Sequence, residues 1–145
     1  MKAARVYKRQ GQLLVGTLSQ TDMGLWISDA AYARLPADAQ DEDIAAAVDH
    51  ALSCSQQQVP HPTDFRGATT LMLQSAGVKS WRTFIRGAQL VSIRAESGRQ
   101  LMIPTVNRGP RDGFGFLEES AVTISWPAAP AQFGAALRQA FTACR

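Results

Sequence analysis

Apolar and polar side chains alternate through much of the stretch from Ser80 to Trp126, and this pattern limits the folds that the chain can adopt. The alternation covers residues 80–86, 90–95 and 100–103. A side-chain period of two is typical of strands with one buried face. Ser97-Gly98 separates the last two segments and predicts a tight turn. We therefore predict three consecutive strands, of which the last two are antiparallel neighbours.

A glycine-rich segment from Asn107 to Gly115 follows these strands, and its punctuation predicts an irregular loop. Its glycines match neither the dinucleotide-binding nor the P-loop fingerprint, and it opens no predicted helix. We interpret it as a connection whose arginines are solvated or available to a partner. Val122, Ile124 and Trp126 then predict a last strand.

Three helices are predicted from apolar residues at spacings of three and four. They cover Asp38 to Gln57, Asp64 to Gly77, and the segment that begins at Pro130. Three carboxylates occupy the first turn of the first helix, where acidic groups meet the positive end of the helix dipole. These are Asp41, Glu42 and Asp43.

The N-terminal segment from Arg5 to Leu18 predicts a hairpin that turns at Gln10-Gly11. A short strand is expected within 24–27, before a turn at Ser28-Asp29. The whole pattern predicts an α+β fold, in which a mostly antiparallel sheet packs against about three helices. A chain of 145 residues fits one domain over residues 1–145.

Charge is distributed unevenly along the chain. The net charge is +3, but residues 1–76 carry six Lys and Arg against eight Asp and Glu, whereas residues 77–145 carry nine against four. Cys54 and Cys144 are interpreted as small buried side chains, which favours a reducing compartment. No window approaches eighteen apolar residues, so we expect a cytoplasmic protein with no membrane partner.

The residues that catalysis requires do not form an evident set. His50 is placed on the polar side of its helix and His61 between two prolines, and neither has a base or nucleophile at local spacing. No Cys or His pair has zinc-ligand spacing. We therefore expect no enzyme activity, no metal and no cofactor, although a ribonuclease built on the two histidines stays open as an alternative.

A second alternative is a small protein that binds single-stranded RNA. If residues 80–86 form a strand, Arg82 and Arg86 flank Phe84 on one face, and Arg94 follows on the next strand. Basic and aromatic residues of this kind contact single-stranded RNA. The same pattern is also expected on the outer face of an antiparallel sheet, where arginine stems cover apolar surface. We favour the second interpretation and do not expect nucleic acid as the partner.

The second half of the chain resembles the immunity proteins of bacterial contact-dependent growth inhibition (CDI) systems. The resemblance spans roughly Leu71 to Cys144 and rests on the order and spacing of short motifs. They are Ser80-Trp81-Arg82-Thr83-Phe84, Val91-Ser92-Ile93, Ile103-Pro104, Gly113-Phe114-Gly115-Phe116 with Glu118-Glu119, and Phe133-Gly134-Ala135-Ala136-Leu137-Arg138-Gln139-Ala140-Phe141.

The resemblance implies a non-enzymatic cytoplasmic protein that binds the C-terminal toxin domain of a CDI adhesin, often a nuclease. A nuclease that grips phosphates is expected to be basic, so its inhibitor should present carboxylates. The positive net charge departs from this expectation. Either the contact uses the acidic residues of the front half or Glu118 and Glu119, or the toxin is not a basic nuclease. The candidate toxin-binding residues are Asp38, Asp41, Glu42, Asp43, Arg108, Arg111, Asp112, Glu118 and Glu119. The oligomeric state is left open.

Overall fold

A computed structural model describes residues 1–28 and 30–145, and these residues form eight strands and five helices. The strands are β1 (Lys2–Arg9), β2 (Gln12–Gln20), β3 (Trp26–Ile27), β4 (Ala33–Pro36), β5 (Gln89–Glu96), β6 (Arg99–Asn107), β7 (Phe114–Phe116) and β8 (Val122–Ser125). The helices are α1 (Asp41–Ser53), α2 (Arg66–Ala76), α3 (Trp81–Ile85), α4 (Gly109–Asp112) and α5 (Pro130–Ala143), and a 3₁₀ turn covers Glu118–Ser120. The α+β prediction is confirmed.

All strands join one antiparallel sheet in the order β3-β2-β1-β5-β6-β7, with β4 also paired to β2 and β8 to β6. Both predicted hairpin turns are present. Gln10 and Gly11 have φ of 48° and 73°, and Ser97 and Gly98 have φ of 53° and 76°. Two successive positive φ angles suit the tight turn of a two-residue hairpin, and this geometry fixes the pairing of β1 with β2 and of β5 with β6.

The sheet is covered on both faces. On the first face, Val6 of β1 and Ile93 of β5 pack beneath α1 and α5. The stripe predicted on the last helix is confirmed, since α5 buries the residues Phe133, Ala136, Leu137, Ala140 and Phe141. Burial of such a stripe is the main source of stability for a helix of this length.

On the second face, Tyr7, Leu14 and Leu90 pack with Phe84 of α3 and with α2. Helix α2 covers this face sparsely, because only Met72 and Ala76 among its residues are buried. It begins at Arg66, whose backbone N–H donates to the Asp64 carboxylate at 2.9 Å, and it ends at Gly77 with φ of 73°. Because Gly77 adopts a left-handed conformation that suits glycine, the helix stops where the sequence predicts.

The strand predicted over residues 80–86 is wrong, because these residues form α3. The Ser80 hydroxyl accepts a hydrogen bond from the Thr83 backbone N–H at 3.1 Å and caps the helix. Trp81, Phe84 and Ile85 then follow at the helical spacing of three and four, which places them on the side that meets the sheet. The order of apolar and polar residues in this short segment is compatible with a strand or with a helix. The Ser80 cap favours the helix.

Three further expectations need correction. The Asn107 to Gly115 segment is not wholly irregular, because it contains α4 and the start of β7. Helix α1 covers Asp41–Ser53 rather than Asp38 to Gln57. Cys54 is exposed, although it was expected to be buried. The predicted Ser28-Asp29 turn lies partly outside the described residues.

None of the described helices has the length and hydropathy needed to cross a membrane.

Candidate partner-binding surfaces

The acidic first turn of α1 borders a cleft of about 600 Å³ between α1 and α5. Asp41 lines this cleft, and its Oδ1 accepts a hydrogen bond from Nη1 of Arg138 on α5 at 2.8 Å. The carboxylate lies so close to Gly134 that a side chain there would collide with it. Asp41 is therefore engaged within the molecule, in a partly exposed ion pair worth about 0.5 kcal/mol.

The neighbouring carboxylates are differently placed. Asp38, Glu42 and Asp43 are exposed, and none of them forms an ion pair with another described residue. Of the four acidic candidates near α1, these three are available to a partner. The predicted position of the acidic turn is thus confirmed, whereas its contact with a toxin remains a prediction.

The other candidates lie away from α1, in the segments next to β6, β7 and β8. Arg111 and Asp112 are exposed on α4, and Glu118 and Glu119 are exposed in the 3₁₀ turn. Arg108 is also exposed, and its guanidinium lies over Gly115 of β7, where a side chain would have to displace it. The nine candidate residues therefore form two separate groups.

Two side chains hold α4 against α3. Asn107 donates through Nδ2 to the carbonyls of Ile85 and Ala88 at 2.7 and 2.9 Å, and its Oδ1 accepts from the Gly109 N–H at 2.9 Å. The Trp81 indole donates to the Pro110 carbonyl at 3.0 Å. These hydrogen bonds hold the backbone of α4 in place, and α4 carries the exposed residues Arg111 and Asp112.

The structure does not form the basic and aromatic face expected for RNA binding. Phe84 has an exposed fraction of 0% and packs edge-on against Tyr7, with ring centroids 5.0 Å apart. Arg82 and Arg86 are exposed at α3, while Arg94 lies on β5 with its guanidinium 5.6 Å from the Phe116 ring centroid. Because Phe84 is enclosed, it has no free face on which a base can stack.

A pocket of about 520 Å³ lies on the second face, between the sheet, α2 and α3, and sequence reasoning missed it. We call it the second-face pocket. It is lined by Arg5, Tyr7, Leu25, Trp26, Ile27, Ser28, Tyr32, Phe65, Ala68, Thr69, Met72 and Trp81. Most of these side chains are apolar or aromatic, and a few polar groups lie among them, as in many ligand and partner sites.

Arg5 is the charged residue of the second-face pocket. Its Nη1 donates to the Tyr7 hydroxyl at 3.0 Å, whereas its Nε is enclosed and has no acceptor among the described residues. Burial raises the pKa of Tyr32 above its ordinary value, although the charge of Arg5 opposes this shift. The Ser28 hydroxyl lies near the Tyr32 phenol without a well-aligned hydrogen bond. At neutral pH the pocket therefore carries the positive charge of Arg5 beside the neutral phenol of Tyr32.

One sequence signal could have indicated this pocket. Gly16 interrupts the apolar run of β2, and glycine within a strand often marks a close approach of another group. In the structure, Gly16 lies opposite Arg5, and the Tyr32 ring occupies the space that a side chain at Gly16 would fill. The glycine was visible in the sequence, but the identity of the approaching ring depends on long-range packing.

The two histidines have different neighbours. His50 Nε2 lies 3.8 Å from Sγ of the exposed Cys54, one turn along α1, and His61 Nδ1 lies 3.1 Å from Oγ1 of Thr21. The Thr21 hydroxyl also accepts the backbone N–H groups of Met23 and Leu25, so His61 belongs to a local loop network. No group of three metal-ligating side chains is found among the described residues.

The cysteines provide a direct test of the fold. We expect Cys54 to react with a maleimide reagent well before Cys144, because Cys54 is exposed whereas burial raises the pKa of the Cys144 thiol. The Cys144 reaction should accelerate only above the pH at which an ordinary thiol reacts, since the thiolate is the nucleophile and the pKa of Cys144 is raised. Mass spectrometry of peptides from pH 6 to 9 would measure both rates. Equal rates in the native state would contradict the placement of α5.

Solved structures from two organisms share this fold. A protein of unknown function, NMB0488, from Neisseria meningitidis has a TM-score of 0.84 at 19% identity, with 99% of this chain and 95% of that chain covered. A CdiA-CT/CdiI toxin and immunity complex from Yersinia pseudotuberculosis has a TM-score of 0.81 at 19% identity, with 99% and 97% covered. At 19% identity, this likeness shows that the chain shares the fold of these two structures. Comparison with curated protein sequences gives no match.

The family comparison is more specific. Residues 2–144 match the family model described as CDI immunity protein, CdiI. The resemblance predicted from residues 71–144 is thereby confirmed, and the match also covers the first half of the chain. Because it extends over almost the whole sequence, the protein belongs to the CDI immunity protein family.

Proposed function

We propose that the protein binds the C-terminal toxin domain of a CDI adhesin made by the same strain and neutralises it in the cytoplasm. The observation that carries this proposal is the family match over residues 2–144. The shared fold with a protein from a toxin and immunity complex supports it. We further propose that residues 1–145 act as one domain and inhibit by occupying a surface of the toxin, without catalysis.

Two surfaces are candidates for the contact. The exposed carboxylates Asp38, Glu42 and Asp43 suit a basic toxin surface, as expected if the toxin is a nuclease that grips phosphates. The second group combines Arg108, Arg111 and Asp112 with Glu118 and Glu119 at the β6–β7–β8 edge. Since the first group is uniformly acidic and the second mixed, we propose that the first makes the electrostatic contact with a nuclease toxin.

Co-expression with the toxin domain encoded next to this protein tests the proposal. We expect that domain to stop growth of a bacterial host when produced alone, and growth to resume when this protein is made with it. The purified pair should bind with a Kd in about the nanomolar range or below. A toxin domain from an unrelated system serves as the control and should neither bind nor be neutralised.

Failure of both binding and protection with the neighbouring toxin would refute the proposal. Loss of host nucleic acid in the cells that make the toxin alone would support the nuclease assignment, whereas intact nucleic acid with arrested growth would exclude it. The RNA-binding alternative receives no support from the geometry, because its aromatic residue, Phe84, is enclosed in the core.

A further inference from the structure

The second-face pocket holds a positive charge with no negative partner among the described residues. We propose that this pocket accepts an acidic side chain of the toxin domain and that the carboxylate pairs with Arg5. This inference deepens the proposed function and rests on it, since the partner is the toxin. It assigns a contact apart from the acidic turn of α1.

The hydrogen bonding of Arg5 leaves donors of its guanidinium unused. Only Nη1 has an acceptor among the described residues, the Tyr7 hydroxyl at 3.0 Å, and this bond fixes the orientation of the guanidinium. Nε lacks an acceptor although it is enclosed, and none of the ion pairs among the described residues involves Arg5. A planar guanidinium with unused donors matches the two oxygens of a carboxylate.

The neighbours of Arg5 on the sheet are small. Gly16 and Ser92 lie beside it in the registers of β1 with β2 and with β5. The aromatic rings of Tyr7 and Tyr32, with centroids 6.0 Å apart, form part of the wall. Arg5 therefore forms the polar floor of a pocket whose walls are mostly apolar or aromatic. An ion pair formed there is less weakened by water than one on the surface.

The rim of the pocket indicates what kind of molecule brings the carboxylate. Leu25 and Phe65 each have an exposed fraction of 45%, and both line the opening. Large apolar side chains around a cavity mark surfaces that contact another protein. Since α2 buries only Met72 and Ala76, it leaves this space open. A protein segment that carries Asp or Glu between apolar residues fits both the charged floor and the apolar rim.

Substitution of the floor residue provides the first test. We expect Arg5→Met to weaken toxin binding by roughly 30-fold to 5,000-fold, the range measured when one member of an enclosed charge pair is removed. The free Arg5→Met protein should melt at the same or a higher temperature, because the substitution removes a poorly compensated charge. Arg99→Met, the same change at an exposed position on β6, is the matched control and should bind like the wild type.

The toxin side of the contact completes the test. Each Asp and Glu of the toxin domain is changed to its amide, and binding is measured against wild type and Arg5→Met. Substitution of one particular toxin carboxylate should weaken binding to the wild type strongly and binding to Arg5→Met far less. Such non-additivity indicates that the carboxylate and Arg5 are in direct contact.

The outcomes separate the two proposals. If the wild type does not bind the toxin, the proposed function fails and this inference fails with it. If the wild type binds, while Arg5→Met binds within about threefold and no toxin carboxylate shows coupling, the pocket assignment alone is wrong.

Discussion

Phe84→Ala is expected to lower the free energy of unfolding by about 3–5 kcal/mol, the usual effect of truncating a fully buried phenylalanine. Phe84 has an exposed fraction of 0% and packs against both Tyr7 and Trp81, with ring centroids 5.0 and 5.8 Å away. It links α3 to the second face of the sheet, so its truncation leaves a cavity that the neighbouring rings cannot readily fill. The melting temperature should fall by roughly 10 °C.

Phe116→Ala is the matched control, because it removes the same atoms from an exposed position on β7. Phe116 has an exposed fraction of 51%, and its ring contacts the Arg94 guanidinium. Its truncation should change the free energy of unfolding by less than about 1 kcal/mol. Urea denaturation followed by far-UV circular dichroism measures both variants without relying on Trp81 fluorescence. Equal effects of the two substitutions would mean that Phe84 is not a core residue.

The turns and most of the long elements were predictable because their signals are local. Gln10-Gly11 and Ser97-Gly98 contain residues that tolerate positive φ, and the flanking apolar runs are long enough to define strands. Helix α5 was predictable from its stripe, which repeats over several turns. In these segments, the conformation that the local sequence favours is also the one that buries the apolar side chains in the fold.

Residues 80–86 were not predictable because a short segment satisfies two patterns at once. Trp81 and Ile85 are four residues apart. This spacing equals two periods of a strand and about one turn of a helix, so both structures put the two side chains on one face. Ser80 at the N-cap and Gly87, with φ of 75°, fix the ends of the helix. A serine in this position is too common to identify a helix of five residues by itself.

The candidate sites were predictable only as exposed charges. Asp41 carries the same charge as its neighbours, but its partner Arg138 is 97 residues away, so its engagement follows from the packing of α1 on α5. Arg5 was named only as the start of the predicted N-terminal hairpin, because the pocket around it is assembled from Tyr7, Ser28, Tyr32 and Met72 of separate elements. Long-range packing determines which charges remain available to a partner.

The acidic turn of α1 is expected to set the rate at which toxin is captured. We expect the double variant Glu42→Lys and Asp43→Lys to lower toxin affinity by roughly tenfold or more at low salt, mainly through slower association. Its affinity should also depend less on salt than that of the wild type. Asp41 is left unchanged, because its substitution would break the ion pair with Arg138 and disturb the contact between α1 and α5.

The matched control is Asp22→Lys with Asp49→Lys, which changes the net charge equally at two other exposed positions. Stopped-flow association at several salt concentrations measures both variants. Thermal melting checks the loss of favourable charge at the start of α1, which costs about 0.3–1 kcal/mol per residue. If both variants slow association equally, the effect is one of net charge alone. If neither does, the contact lies elsewhere, and the edge that carries Arg111 and Glu118 becomes the next surface to test.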